Sequence, residues 1–358
     1  MLDNLSVQKY ITSFIEKTFS SNGRNTATIQ VGEIEINDFS ICFWVEIEPE
    51  SGKYGLYVKL PKEEVEKTEM WRINESDREM GEKEYESLQF LDKNWIEDED
   101  SVKFIKPVAY LQKYNAIVTE RIYAKGILPE FRALDTLKRI IPFVSTEKFK
   151  YYLANVGRSL RKYHDRVGEP VEYDLANTVT KIKTRLKSLD IPSTTGNDTN
   201  EWHVLLAKIS GLTEKTVMTK TLKGLDIRNV FIGDSGKIYL LDPGRLKNDC
   251  READLARFLV TIRILYWGTL RFFLRLKPLE EFEKFFLKGY YGSDSHGGIL
   301  LRVFIIKELV KHWDMAYFAL SLKSWPKPIK YILKNIYING YYESEISAHF
   351  RRLKDEIS

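Results

Sequence analysis

The chain has 358 residues, 43% of them apolar and 13% aromatic, with a formal net charge of +4. That length and apolar content exclude a disordered chain and allow two lobes with cores of their own. Cys42 and Cys250 follow no CxxC or metal-ligand spacing and the five histidines are scattered, which argues against a disulfide framework or a zinc site and fits a reducing, cytoplasmic setting.

The charge is uneven. Residues 63–100 carry fifteen acidic and five basic side chains, whereas residues 257–340 carry fourteen basic and six acidic. The basic C-terminal half suits an anionic partner, and nothing beyond this mild excess points to nucleic acid.

Residues 5–20 read as an amphipathic helix that lacks the basic flank and apolar core of a signal peptide, followed by a turn-rich break at Ser20–Asn25. From Ala27, the stretches ATIQVGEIEIN and FSICFWVEIE and, after a PESGKYG hairpin, LYVKLP predict three antiparallel strands. Lys59 lies inside the third, on a face fixed by alternation. About 25 residues on, Glu84, Leu88 and Leu91 share one face of a predicted helix, so a lysine on the strand and a glutamate on the helix can pair across the sheet.

Two more strands are predicted at Val102–Ala109 and Ala116–Ile122, after which helices take over. Leu153, Val156, Leu160 and Tyr163 give helical spacing over Thr146–Val167, with Gly168 as the stop. Residues 170–200 read as a further helix and an exposed loop, STTGNDTN.

The stretch Thr221–Arg245, TLKGLDIRNVFIGDSGKIYLLDPGR, reads as a polar loop ending in Asn229, a strand Val230–Ile232, a turn Gly233–Gly236, and a strand Ile238–Leu241 that delivers Asp242-Pro243-Gly244. An amide oxygen and a carboxylate at neighbouring strand ends suit Mg²⁺, which keeps other positions open for phosphate. Beyond it a long helix starts at Arg251. The most apolar run, Phe258–Leu276, is interrupted by Arg263, Arg271 and Arg275, which excludes a bilayer span. Breaks are predicted at Gly289–Gly298 and Trp325–Pro328. Residues 325–342, WPKPIKYILKNIYINGYY, have the Trp, Lys and Tyr content of a peripheral membrane contact, and a packed terminal helix explains them as well.

In order and spacing, most of residues 27–260 resembles the protein-kinase-like fold of the aminoglycoside phosphotransferase, choline kinase and lipopolysaccharide kinase group, and the last hundred residues match only in being helical. The resemblance implies an α+β, bilobal architecture: an N-lobe, residues 1–122, with a five-stranded antiparallel sheet and one helix, and a larger, mostly helical C-lobe, residues 123–358. It implies ATP and Mg²⁺ as cofactors and a hydroxyl of a small-molecule or glycan-type acceptor as substrate. Lys59 would contact the α- and β-phosphates and pair with Glu84, with Glu86 as the alternative partner. Asn37–Ser40 takes the place of the phosphate-covering turn, without the family's glycines. Backbone groups of Glu120 and Ile122 would hold adenine, and Asn229 and Asp242 would hold the metal. Leu160–His164 matches the helix before the catalytic loop, with His164 structural, and Asp254 in ADLARF would support that loop's backbone.

The family's HGDxxxxN loop is altered. Counting back from Asn229 puts Gly224 at the catalytic Asp, with Leu222 and Lys223 for His and Gly; a loop one residue shorter puts Leu225 there instead. The nearest carboxylate is Asp226, and Lys223 is placed to neutralise charge on the γ-phosphate. Either Asp226 serves as base in a rebuilt loop, or transfer proceeds without a positioned base, or the chain is a pseudokinase that binds nucleotide or partner proteins. The acceptor would lie between the loop and the C-terminal helices, near Arg263, Tyr266, Trp267, Arg271, Trp313 and Tyr317.

Overall fold

The computed structural model describes Lys9 and residues 11–13, 28–37, 39–48, 54–63, 72–97, 102–140, 145–189, 196–265, 280–293 and 297–358. Most of the predicted N-terminal helix, the hairpin tip before Tyr54, and Tyr266, Trp267 and Arg271 lie outside these residues.

Six strands form the first sheet: β1 (Thr28–Val31), β2 (Glu35–Asn37), β3 (Ser40–Glu48), β4 (Tyr54–Pro61), β6 (Pro107–Leu111) and β7 (Ala116–Glu120). Their order is β1-β3-β4-β7-β6, with β2 also pairing β3. The single first strand expected from ATIQVGEIEIN is broken at residues 32–34, where the ring of Trp44 covers Gly32. In β4, alternation buries Leu56, Val58 and Leu60 against Ile41, Phe43 and Val45 of β3, which leaves Tyr57 and Lys59 on the opposite face.

Helix α1 (Glu75–Asn94) begins with a capping box between Asn74 and Asp77. Asp77 is buried and also binds Lys62 Nζ (3.0 Å) and the Glu63 N–H (2.8 Å). Asn115 donates to the carbonyls of Asp77 (2.7 Å) and Pro61 (3.0 Å), so the helix start is tied to the end of β4. Two turns further on, Glu84 and Leu88 are buried, whereas Glu86 is exposed.

The predicted strand Val102–Ala109 divides. Its first part, β5 (Lys103–Phe104), joins a second sheet with β8 (Ala124–Gly126), β11 (Val230–Gly233) and β12 (Ile238–Leu240) in the order β5-β12-β11-β8. The helices α2 (Ile127–Ile140) and α3 (Glu147–Val167, closed by Gly168) follow. Then the structure departs from the expectation of helices around one hairpin. A third sheet, β13-β10-β9, is built from β9 (Glu169–Asp174), β10 (Thr213–Leu222) and β13 (Leu246–Cys250). Three of the four buried positions of its central strand are the hydroxyl-bearing Thr216, Thr219 and Thr221, with Leu222 the fourth, so the strand carries little hydrophobic period.

Between β9 and β10 lie α4 (Ala176–Ser188) and α5 (Gly196–Ile209), the second of which starts within the segment expected to be a loop. The remainder is α6 (Arg251–Leu265), α7 (Glu280–Tyr291), α8 (Gly298–Ser321), α9 (Lys327–Ile332), a π-helical turn Leu333–Ile338, and α10 (Asn339–Ile357). A large apolar cluster runs from Leu91 to Leu353, separate from the cluster under the first sheet. The architecture is α+β and bilobal, with an antiparallel sheet and one helix against a mainly helical lobe. No helix of the described residues is long and apolar enough to cross a membrane.

Candidate nucleotide and phosphotransfer site

β4 and α1 bring Lys59 Nζ to 2.6 Å from Glu84 Oε1. The same ammonium lies 3.0 Å from Asp242 Oδ1, at the end of the β11–β12 hairpin. Burial works against the charge on Lys59, and Glu84 and Asp242 outweigh it, so the amine stays protonated. Burial raises the Glu84 pKa while Lys59 opposes the rise. Asp242 keeps half of its side chain exposed and has a left-handed backbone, φ 49°, which is uncommon for an aspartate.

Asn229 ends a short 3₁₀ turn. Its amide group donates to the carbonyls of Gly224 (2.8 Å) and Asp242 (3.3 Å), which leaves Oδ1 as the atom to offer a cation. One carboxylate and one amide oxygen, with room beside them, fit a Mg²⁺ that is held mainly through phosphates.

The loop before Asn229 packs backbone on backbone against Asp242. The Gly224 N–H donates to the Pro243 carbonyl at 2.7 Å. A Cβ at Gly224 would fall 2.0 Å from the Asp242 carbonyl oxygen, so no side chain, least of all an aspartate, fits there without a shift. Leu225, the other residue aligned with the missing aspartate, is buried.

Asp226 does not present a free carboxylate. It is 6% exposed and caps the 3₁₀ turn through the Arg228 N–H at 2.8 Å, and the Arg228 guanidinium grips both its oxygens at 2.6 and 3.1 Å. Arg228 was not foreseen as its partner, although a residue two positions on in a tight turn is within reach. Lys223 is exposed, with its pKa lowered by burial and then by Arg245, Arg257, Lys311 and Lys247.

At the other end of the site, the Glu120 and Arg121 N–H groups are taken by Lys106 and Gly55 carbonyls. Ser40, expected at the phosphate-covering turn, is buried, and its hydroxyl accepts from Cys42 Sγ at 3.5 Å. Asn37 and Phe39 of that turn are exposed, and Asp38 lies outside the described residues. Tyr57 was missed; it stands two residues before Lys59 on the same face, and burial, with Cys42, Glu35 and Asp242 near, raises its pKa.

Solved structures share this fold over nearly the whole chain. A mutant aminoglycoside 2′-phosphotransferase of type IIIa in its GDP complex is 10% identical, with 97% of this chain and 96% of that one covered at a TM-score of 0.52. The chain has the protein-kinase-like fold. An ADP-bound aminoglycoside phosphotransferase of the 2″-Ib type is 13% identical, with 95% and 98% covered and a TM-score of 0.51. A 2″-IIa enzyme in ternary complex with streptomycin and ATP is 12% identical, with 95% and 97% covered and a TM-score of 0.50. No family model and no curated protein matches the sequence, and at these identities the likeness is one of fold.

Two outcomes are expected. Gly224→Asp, which restores the carboxylate in sequence, should lower stability by about 1–3 kcal/mol through overpacking, read by chemical denaturation; unchanged stability would show that the two backbones separate easily. On α8, burial and Lys311 push His312 down from 6.5 to about 4, with Arg228 adding and Glu308 and Asp226 opposing. Between those values the unfolded chain binds the extra proton, so stability should fall as pH drops through this window. His312→Asn should remove up to about 3 kcal/mol of that fall in pH-dependent denaturation, and an unaltered slope would assign it to other groups.

Proposed function

We propose that the chain binds ATP with Mg²⁺ between residues 1–122 and 123–358 and transfers the γ-phosphoryl group to a hydroxyl of a small-molecule or glycan-type acceptor. The observation that carries this reading is the bridge from Lys59 to both Glu84 and Asp242. A half-buried strand lysine fixed by one carboxylate and facing a second, exposed one is placed to exchange the second for phosphate oxygens. Solved structures of the same fold that hold GDP, ADP or ATP support it.

Asp242 and Asn229 would hold the metal, which when bound neutralises charge on the phosphates. Tyr57 offers its ring as a stacking platform for the base. With the Glu120 N–H committed, its carbonyl and the Ile122 N–H are the groups for adenine. The turn at Ser40 would cover the phosphates with backbone, the Ser40 hydroxyl being turned to Cys42. In the transfer, the acceptor oxygen bonds to the γ-phosphorus as the bond to the bridging oxygen breaks. ADP keeps that electron pair, and the hydroxyl proton passes to water or to the transferred phosphoryl oxygens. A loose transition state needs little help from a base, so positioning and charge from Lys59 and Lys223 do most of the work.

The grip of Arg228 on Asp226 favours a second reading, a nucleotide-binding pseudokinase with little transfer. In a thermal-shift assay Mg²⁺–ATP should stabilise the wild type, by about 2.7 kcal/mol at a hundredfold excess over Kd, and Asp242→Ala should abolish the shift. No shift in the wild type removes both readings. ATP turnover should change less than tenfold in Asp226→Asn; a loss of about a hundredfold or more would make Asp226 the base after all.

The membrane contact gains support from α9 and its flanks. Phe318, Leu322, Trp325, Ile329, Tyr331 and Ile336 are exposed, interspersed with Lys323, Lys327, Lys330 and Lys334 and no acidic residue. An apolar face ringed by lysines suits an anionic bilayer surface. Sedimentation with phosphatidylserine-containing vesicles should retain the wild type and lose a Trp325→Ser, Ile329→Ser variant; equal retention of both would dismiss the contact.

A further inference from the structure

A cleft of about 430 Å³ opens beside the loop, walled by α4, β10, β13, α6 and α8. Seven of its lining side chains are basic and two are acidic. The acids are already used: Asp249 lies 3.5 Å from Lys307, and Glu308 binds Lys311 at 2.8 Å with Arg257 at 3.9 Å. That leaves Lys181, Arg185, Lys223 and Lys247, for which no carboxylate stands within ion-pair distance among the described residues.

Arg257 adds an independent sign. Its Nη1 donates to the Leu222 carbonyl at 2.9 Å, but its Nε is buried with no hydrogen-bond partner. A buried guanidinium N–H left unpaired costs free energy that a bound oxygen would return. Gathering like charges on a concave wall is unfavourable as well, and after burial the neighbouring cations Arg245, Arg257, Lys311 and Lys247 add to the lowering of the Lys223 pKa.

The cleft adjoins the transfer site. Lys223, which lines it, immediately precedes Gly224, and the Gly224 N–H is bonded to Pro243 beside Asp242. Lys247 faces Thr221 across β10 and β13. The volume lies in the range of small-molecule sites and is too confined for a nucleic-acid duplex.

We propose that this cleft is the acceptor subsite and takes a small polyanionic hydroxyl compound, a carbohydrate bearing phosphate or carboxylate groups. The anionic groups sit on Lys181, Arg185, Lys247 and Arg257, and a hydroxyl is directed past Lys223 toward the γ-phosphate. The assignment rests on the phosphotransfer reading above for the word acceptor, and on the cleft alone for the binding of anions. Five basic groups drawn from α4, the loop, β13 and α6 give planar or point-charge partners for more than one anionic group.

Calorimetric titration of the full chain with glucose 6-phosphate, glucuronate, glucose and glucosamine tests it, with Mg²⁺–ATP binding followed separately. The two anionic sugars should bind at least about tenfold tighter than glucose or glucosamine and weaken with salt. Lys181→Glu with Arg185→Glu, both on α4 and away from Lys59, should cost them tenfold or more while the Mg²⁺–ATP shift persists. Lys247→Glu on β13 should repeat that loss in case the double variant is poorly folded. Preference for the phosphate over the carboxylate sugar would name phosphate as the recognised group. Equal binding of neutral and anionic sugars, or no effect of charge reversal while Mg²⁺–ATP still binds, would overturn the proposal. Anion binding without Mg²⁺–ATP binding would remove the phosphotransfer reading and leave the anion site standing.

Discussion

A carboxylate that never meets solvent holds the loop in place. Asp254 is wholly buried on α6, where an unsatisfied charge would cost several kcal/mol. Its Oδ1 accepts from the Leu222 N–H at 2.8 Å, and its Oδ2 lies 3.1 Å from His164 Nε2, while His164 Nδ1 lies 2.8 Å from the Tyr290 hydroxyl. Four segments, α3, β10, α6 and α7, are thereby fixed to one another. Arg257, one turn along α6, holds the Leu222 carbonyl. With both sides of Leu222 clamped, the next two residues leave in set directions, Lys223 into the basic cleft and Gly224 onto Asp242.

That geometry explains how a loop without the usual carboxylate keeps its shape. In place of an aspartate, backbone meets backbone at Gly224, and Asn229 bridges the same two carbonyl-bearing segments. Asp226 then serves as a cap for the 3₁₀ turn, locked by Arg228. The arrangement suits a reaction driven by charge neutralisation more than one driven by a base.

The sequence made the fold and part of the candidate site's geometry readable because those residues sit on regular elements. Strand alternation isolates Lys59, helix periodicity puts Glu84 on the buried face, and the hairpin brackets Asn229 and Asp242. Tyr57 could have been found by the same alternation. The third sheet was hidden because threonines fill most of its buried positions, with Thr216 bonded to Glu252 and Thr221 to the Lys247 carbonyl. The basic cleft was hidden for another reason: Lys181, Lys223 and Lys247 come from three distant segments. The charge excess of residues 257–340 signalled only Arg257, Lys307 and Lys311. The role of Asp226 was unreadable because it depends on a side chain folding back two residues away.

The way α1 is seated limits how the helix can move. Its start is nailed to β4 by the Lys62–Asp77 pair, both side chains at most 5% exposed, and by Asn115. Its middle receives the Leu246 N–H on Ser87 at 3.0 Å. Swinging the helix away to withdraw Glu84 would strand a buried ion pair, at about 3–5 kcal/mol. The seat of α1 is therefore stiff at its start and its middle, and a displacement of the helix as a rigid rod is costly.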